Sequence, residues 1–316
     1  MSTKIAFLFP GQGSQAVGMG RDLRERFMVA ARTFEEADEA LGFAISKLCF
    51  EGPEDELRLT ENTQPAILTV SVAAWRVLET EAVRPELAAG HSLGEWSAHV
   101  AAGTLAFADA VRAVKARGRA MQQAVPAGQG GMAAVLMLEP AKVAEACAEA
   151  AAETGLSVAA ANLNSPGQTV ISGALAAVEK AAEICKAKGA RRAVMLSVSA
   201  PFHCPLMQPA QEEVARVLDG IAMSDPRIPV AANVTGALVR TAAEARDALT
   251  RQVTGAVRWV DCVQALVAAG ANTFIEVGPG KVLTGLMKQI DAAQKALNVE
   301  DGVSLEKTLA EVKANC

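Results

Sequence analysis

The spacing of apolar and polar residues predicts alternating strands and helices over the first part of the chain. An apolar run at Lys4–Phe9 predicts a buried strand, and helical periodicity follows over residues 21–41. Thr63 is expected to cap a helix over residues 64–81, because the proline in its first turn needs no hydrogen-bond partner for its nitrogen. The same patterns then predict a short strand and two helices, at Leu87–Gly90, Leu93–Ala102 and Phe107–Gln123.

A glycine-rich stretch, Pro126–Gly131, separates this region from a second pattern. The predicted order is now strand, helix, strand, strand, helix, strand, at Met132–Met137, Ala141–Thr154, Val158–Asn162, Thr169–Ser172, Leu175–Lys188 and Ala193–Val198. That order is the ferredoxin-like split βαβ arrangement. Strands and helices then alternate again at longer spacing. The predicted strands are Ile228–Ala232 and Thr273–Val277, and the predicted helices are Leu206–Leu218, Trp259–Ala269, Lys281–Gln289 and Leu305–Val312.

These patterns predict an α/β protein built from a core and an insertion. Residues 1–126 and 199–316 are expected to form the larger subdomain, in which helices cover a parallel sheet. Residues 127–198 are expected to form a ferredoxin-like small subdomain. A length of 316 residues agrees with two such parts, at about 150 residues per domain.

Composition and charge exclude several classes of protein. The chain is 51% hydrophobic, which argues against extended disorder, and its net charge of −5 disfavours nucleic-acid binding, which requires a basic face. The apolar runs are too short for a signal peptide or a membrane span, so we expect a cytoplasmic protein without membrane contact. Six scattered cysteines and three histidines predict neither a disulfide framework nor a metal site.

The most informative motif is a Gly-X-Ser-X-Gly sequence between a predicted strand and a predicted helix. It reads Gly90-His91-Ser92-Leu93-Gly94. A sharp turn from strand to helix exposes the serine hydroxyl, requires glycine on both sides, and aims the first N–H groups of the helix at a developing oxyanion. Ser92 is therefore a candidate nucleophile, although a serine that merely caps the helix would give the same pattern.

A nucleophilic serine needs a base, and the chain offers three histidines. His91 is adjacent to Ser92 in the turn, so its side chain should point away. His99 lies seven residues further along the helix, about 10 Å from Ser92 at ~1.5 Å per residue. His203 remains, at the junction between the insertion and the core, and is the candidate base.

Several motifs together resemble the malonyl-coenzyme A:acyl carrier protein transacylases. They occur in the family's order over residues 1 to about 290, namely Phe9–Gln15, Gly90–Glu95, Arg117-Gly118, Asn162–Gln168, Pro201-Phe202-His203 and Glu276–Gly280. The resemblance implies an α/β-hydrolase-like large subdomain, a ferredoxin-like small one, and an active site between them. It also implies transfer of a malonyl group from malonyl-CoA to an acyl carrier protein through a malonyl-serine, for fatty-acid or polyketide synthesis, with no cofactor. We expect the protein to be a monomer.

The resemblance also assigns roles to individual residues. Ser92 would be the nucleophile and His203 its base, with the main-chain N–H groups of Gln12 and Leu93 forming the oxyanion hole. The remaining roles go to Arg117, which would bind the malonyl carboxylate, and to Gln252, whose main-chain carbonyl would orient the histidine. Phe202, before the histidine, is typical of malonyl-specific members.

The residues alone leave other interpretations open. Arg117 lies on a helix with Arg112, Lys115 and Arg119, a pattern typical of a solvated face. Gln252 could equally be a surface residue at a helix end. A serine esterase would need an HGGG-type loop and an acidic partner for the histidine, and neither is evident. A non-catalytic scaffold that binds carrier proteins would not need Ser92 and His203.

Overall fold

Two sheets organise the chain in the computed structural model, which describes residues 3–196, 198 and 200–314. Within these residues the strands are β1 (Ile5–Phe9), β2 (Leu87–Gly90), β3 (Gly130–Leu136), β4 (Val158–Ser165), β5 (Gln168–Ala174), β6 (Arg192–Met195), β7 (Val230–Ala231), β8 (Leu238–Val239), β9 (Thr273–Val277) and β10 (Lys295–Val299). The helices are α1 (Arg21–Arg26), α2 (Met28–Leu41), α3 (Ile45–Glu51), α4 (Glu54–Arg58), α5 (Thr60–Thr80), α6 (Leu93–Ala101), α7 (Phe107–Gln123), α8 (Pro140–Thr154), α9 (Leu175–Ala187), α10 (Gln208–Asp219), α11 (Ala242–Arg251), α12 (Trp259–Ala268), α13 (Val282–Ile290) and α14 (Gly302–Lys313).

The larger sheet has the strand order β10-β9-β1-β2-β7-β8, and its neighbouring strands are parallel except for the β7–β8 pair. Strand β1 is buried on both faces, as expected for a central strand between two layers of helices. Its alternate side chains enter different cores: Phe7 packs in the core that includes α5 and α7, whereas Leu8 packs in the core that includes α12 and α13. The prediction of an α/β protein is confirmed, and the sheet predicted to be parallel is mixed, because β8 pairs antiparallel with β7.

The smaller sheet is antiparallel, with the order β4-β5-β3-β6. Residues of α8 and α9 pack with it in a separate hydrophobic core that includes Val135, Ile171 and Val178. The observed order along the chain is β3-α8-β4-β5-α9-β6, as the sequence pattern predicts. Strand β6 ends at Met195, before the predicted end at Val198; Ser197 and Ser199, next to that predicted end, lie outside the described residues.

Two predicted helix boundaries are wrong. Helix α5 begins at Thr60 rather than after Thr63, because residues from Asn62 onward already donate to carbonyls at the start of the helix, including that of Leu59. The predicted helix over residues 21–41 is two helices, because Phe27 adopts an extended conformation between them. Among the described residues no helix is long and apolar enough to cross a bilayer.

Register in the larger sheet positions the candidate site. Phe9 at the end of β1 pairs with Gly90 at the end of β2, so the turns that follow the two strands lie side by side. An added Cβ at Gly11 would lie 2.3 Å from the carbonyl oxygen of His91, which shows how closely the two turns pack. Ligands of α/β sheets bind outside the carboxyl ends of the strands, where these turns lie.

Candidate active site

Ser92 lies in a sharp turn between β2 and α6. Its φ of 50° and ψ of −104° are unusual for a residue other than glycine, as in a strained nucleophile turn. The flanking glycines are required by space: a Cβ at Gly90 would lie 1.9 Å from the carbonyl carbon of Gly94, and a Cβ at Gly94 would lie 2.0 Å from the carbonyl oxygen of Phe9. The turn therefore holds the serine hydroxyl at the end of the sheet, beside the start of α6.

His203 is in hydrogen-bond contact with the serine. Its Nε2 lies 2.7 Å from Ser92 Oγ, and its Nδ1 lies 2.9 Å from the main-chain oxygen of Gln252. Because a carbonyl oxygen only accepts hydrogen bonds, Nδ1 carries the proton and Nε2 is free to accept the proton of the serine. Burial, reinforced by the charge of Arg117, lowers the pKa of His203 to about 3, so the imidazole is neutral at physiological pH.

The other two histidines have different partners. Nε2 of His91 lies 2.8 Å from Oδ1 of Asn164, on the smaller sheet, and its ring packs against Trp259. His99 is fully buried in α6, where its Nδ1 lies 3.3 Å from Thr104 Oγ1 and burial lowers its pKa to about 4. Of the three histidines, His203 is thus the one whose ring contacts the serine.

Arg117 points from α7 into the site rather than toward solvent. Only 1% of it is exposed, whereas Arg112 and Arg119 on the same helix are exposed, so the solvated-face interpretation is wrong for this residue. Its guanidinium donates to Gln64 Oε1 at 2.7 Å, to Gln252 Oε1 at 2.9 Å and to Ser92 Oγ at 3.1 Å. Burial lowers its pKa to about 10, which leaves it charged at neutral pH.

Close packing of α5 on α7 brings this arginine to its position. A Cβ at Gly118 would lie 2.6 Å from the carbonyl oxygen of Thr60, so glycine allows the two helices to approach. Gln64, from α5, then reaches the guanidinium. The helix pattern gave no signal for this contact, because α5 carries other polar side chains such as Asn62 and Arg76.

Gln12 and Leu93 flank Ser92 in the same cavity. Gln12 lies in the turn after β1, where its side chain donates to Thr60 Oγ1 at 3.2 Å. Leu93 is the first residue of α6, so its N–H has no acceptor within the helix. Both residues thus line the cavity that contains the serine, Leu93 with a main-chain N–H that the helix leaves unused.

A buried polar network lies beneath the serine turn and was not found from the sequence. The Oδ1 atom of Asn233 accepts from the Ser92 N–H at 2.7 Å, while its Nδ2 donates to the Gly90 carbonyl at 2.8 Å. The side chain of Gln252, itself fully buried, donates to the Ser92 carbonyl at 2.9 Å and to Glu95 Oε2 at 2.6 Å. The interpretation of Gln252 as a surface residue is therefore wrong.

Glu95 is the acidic member of this network. It is fully buried, and burial raises its pKa to about 7 despite the N–H groups of Asn233 and Gln252 and the charge of Arg117, which act in the opposite direction. A lone carboxylate among the apolar residues of α6 is unusual for a buried helix and is the sequence signal for this position.

The cavity around these groups has a volume of about 270 Å³ and lies between the two sheets. Its walls are mostly apolar away from the serine, and they include Met121, Met132, Val170, Leu196, Val198, Phe202, Val282, Leu283 and Leu286. The smaller sheet also contributes the amides Asn162, Asn164 and Gln168. Among the described residues, no cluster of three or more His, Cys, Asp or Glu side chains could hold a metal ion.

Comparisons with known proteins agree with this geometry. The model of the acyl transferase domain family matches residues 6–313. The malonyl CoA-acyl carrier protein transacylase of Bacillus subtilis is 46% identical over 311 residues, 98% of each chain, and that of Salmonella typhimurium is 48% identical over 98% of this chain and all of its own.

Solved structures give the same result. The crystal structure of an acyl carrier protein S-malonyltransferase from Vibrio cholerae superposes with a TM-score of 0.93 at 48% identity, over 97% of this chain and 100% of the other. A complex of the malonyl-transacylase PlMCAT with AntF, a type II polyketide synthase acyl carrier protein, superposes with a TM-score of 0.95 at 45% identity. The match covers 98% of this chain and 100% of the other. The chain belongs to the acyl transferase family and, within it, to the malonyl CoA-acyl carrier protein transacylases.

Proposed function

We propose that this chain transfers a malonyl group from malonyl-CoA to the phosphopantetheine thiol of an acyl carrier protein, for fatty-acid or polyketide synthesis. The contact between Arg117 and Ser92 carries the proposal, because a buried cation 3.1 Å from the nucleophile suits a donor with a free carboxylate. The names of the relatives point the same way, and the PlMCAT complex shows that one such relative binds an acyl carrier protein.

In the first half-reaction His203 removes the proton of Ser92, and Oγ attacks the thioester carbonyl. The negative charge that develops on the carbonyl oxygen is stabilised by the N–H groups of Gln12 and Leu93, an effect worth about 3 kcal/mol per donor in comparable sites. As the intermediate collapses, the carbon–sulfur bond breaks and CoA leaves as a thiol with the proton from His203. The serine is left as a malonyl ester whose carboxylate is bound by Arg117.

In the second half-reaction the phosphopantetheine thiol enters the same cavity. His203 accepts the thiol proton, the sulfur attacks the ester carbonyl, and Ser92 leaves with the proton that the histidine returns. Because one cavity serves both substrates in turn, the kinetics should be ping-pong. Every step uses groups of this chain, so we infer that no metal or redox cofactor takes part.

We further propose the division of the chain into two subdomains. The antiparallel order β4-β5-β3-β6 supports a ferredoxin-like small subdomain at 127–198, and the serine turn after a parallel strand supports an α/β-hydrolase-like core at 1–126 and 199–316. The cavity between the sheets would then be the interdomain cleft. A monomeric state and a cytoplasmic location stay predictions from the sequence.

Intact-mass measurement tests the proposed function. The purified protein is incubated with malonyl-CoA, and a holo acyl carrier protein is added afterwards. A transacylase gains one malonyl group and loses it to the carrier protein. An esterase would lose it to water without the carrier protein, and a scaffold would gain none; either result would contradict the proposal.

A further inference from the structure

The side-chain amide of Gln252 lies between a buried guanidinium and a buried carboxyl group. Its Oε1 accepts from the Arg117 guanidinium at 2.9 Å, and its Nε2 donates to Glu95 Oε2 at 2.6 Å. All three side chains are at most 1% exposed. Turning the amide over would direct its NH₂ group at the guanidinium and its oxygen at Oε2 of Glu95, so the donor on one side and the acceptor on the other fix its orientation.

This arrangement leaves the arginine without a direct carboxylate partner among the described residues. The side-chain acceptors of Arg117 are the neutral oxygens of Gln64, Gln252 and Ser92, and the salt bridges of the described chain do not include it. A carboxylate bonded directly to the guanidinium would compete with the carboxylate of the donor. Glu95 instead bonds to Gln252 and not to the guanidinium, so it leaves the donors of Arg117 free of a competing carboxylate.

Glu95 also reaches the nucleophile and the base through the same neighbours. Its Oε2 accepts the main-chain N–H of Asn233 at 3.0 Å, and the side chain of Asn233 holds the Ser92 N–H. The main-chain carbonyl of Gln252 holds His203. One carboxylate oxygen thus anchors two residues that together touch Ser92, His203 and Arg117.

We propose that Glu95 is a positioning residue for donor selection: its Oε2 holds the Gln252 amide so that Arg117 is aligned for the malonyl carboxylate. The inference rests on the proposed function, since it concerns how Arg117 recognises a malonyl donor. Its distinguishing consequence is that loss of the acceptor oxygen lowers transfer from malonyl-CoA more than transfer from acetyl-CoA, which has no carboxylate.

The test compares Glu95→Ala and Glu95→Gln with the parent protein in single-turnover formation of acyl-enzyme from each donor. Glu95→Ala should lower the malonyl-to-acetyl rate ratio by at least threefold. Glu95→Gln supplies an amide oxygen in place of Oε2 and should keep the ratio within threefold. Ser97→Ala is the matched control, since Ser97 is buried in the same helix and its hydroxyl has no hydrogen-bond partner.

Three results would overturn the proposal. An equal loss of rate with malonyl-CoA and acetyl-CoA in Glu95→Ala would mean that Glu95 supports the fold of the site and not donor selection. A threefold or larger loss of the ratio in Glu95→Gln would mean that the charge matters rather than the acceptor. If Glu95→Ala does not fold, Glu95→Leu, which fills the space without an acceptor, replaces it. Failure of both to fold while Ser97→Ala folds would make Glu95 a stability residue only.

A double-mutant cycle tests the route through Gln252. If Glu95 acts through that amide, its loss should matter little once the amide is gone. Adding Glu95→Ala to Gln252→Ala should therefore change the malonyl-to-acetyl rate ratio by less than threefold relative to Gln252→Ala alone. A larger additional change would contradict the route. The parent protein separates this inference from the proposed function. A parent protein that forms no malonyl adduct would contradict the function. If the parent protein forms the adduct and the Glu95 variants keep its malonyl-to-acetyl rate ratio, only the role of Glu95 is contradicted.

Discussion

Removal of the Arg117 side chain should convert a malonyl-selective enzyme into an unselective one. In Arg117→Ala the buried guanidinium is replaced by a methyl group, and Gln64 and Gln252 lose the donor that their oxygens accept from. The substitution also removes the hydrogen bond from the guanidinium to Ser92 Oγ, but it leaves the contact between Ser92 and His203 and the proposed oxyanion donors in place. Binding and activation of an uncharged acyl group should therefore persist.

The size of the expected loss in kcat/KM follows from the burial of Arg117. Loss of one partner from a buried, hydrogen-bonded charge pair costs about 3 kcal/mol, which corresponds to roughly a hundredfold in kcat/KM for the malonyl donor. The acetyl donor has no carboxylate, and its kcat/KM should change by less than about fivefold. Arg117→Lys keeps the charge but not the planar pair of donors, so its loss with malonyl should be intermediate, about tenfold.

The assay measures kcat/KM for malonyl-CoA and acetyl-CoA with the same holo acyl carrier protein. Arg119→Ala is the matched control, because Arg119 is two residues along the same helix and exposed. Thermal unfolding of each variant confirms that the fold is retained. Equal losses with both donors in a folded Arg117→Ala protein, or no loss with malonyl, would refute the assignment of Arg117 to the carboxylate.

The remaining predictions concern the turn, the base and the nucleophile. Gly94→Ala should lower the free energy of unfolding by about 3 kcal/mol in urea titrations, because the added Cβ meets the backbone of β1. The control is Gly285→Ala in α13, where the added Cβ has open space and should not destabilise the protein. Equal free energies of unfolding for the two variants would contradict this. The lowered pKa of His203 keeps it unprotonated, so single-turnover malonylation should be level from about pH 5 to about pH 8, and a fall centred at 6.5 would contradict a buried base. Ser92→Ala should fold and form no adduct, and an adduct of the same mass would place the nucleophile elsewhere.

The parts of the site that sequence could predict are those with local signatures. Ser92 has a turn whose glycines are dictated by nearby backbone, so its motif carries the geometry with it. His203 was reached by elimination among three residues. Arg117 differs from the exposed arginines of its helix through its contact with α5. A contact between distant segments does not show in the hydrophobic pattern of one sequence, so the role of Arg117 came from the resemblance alone.

Glu95 and Asn233 were missed, and Gln252 was named only for its main-chain carbonyl, because the side chains of all three act through long-range contacts. Glu95, Asn233 and Gln252 meet only because α6, the segment after β7 and the end of α11 converge beneath the serine. Glu95 nevertheless had a signal, since a charged residue is rare among apolar residues of a buried helix.

The fold was predicted best where the hydrophobic pattern is strong. The apolar strands β1, β2 and β9 and the amphipathic α7 lie at or near the predicted positions. Helix α11 was missed because it is short and polar, although Thr241 and Glu244 form a capping box that sequence could have indicated. Strand β10 was missed because it is half-buried at a sheet edge, where alternation is weak.

A crystal structure of the malonylated protein tests the central claim most directly. We predict a malonyl ester on Ser92 Oγ, with its carboxylate within about 3 Å of the Arg117 guanidinium and its carbonyl oxygen facing the N–H groups of Gln12 and Leu93. A malonyl group on another residue, or a carboxylate directed away from Arg117 into solvent, would contradict the account.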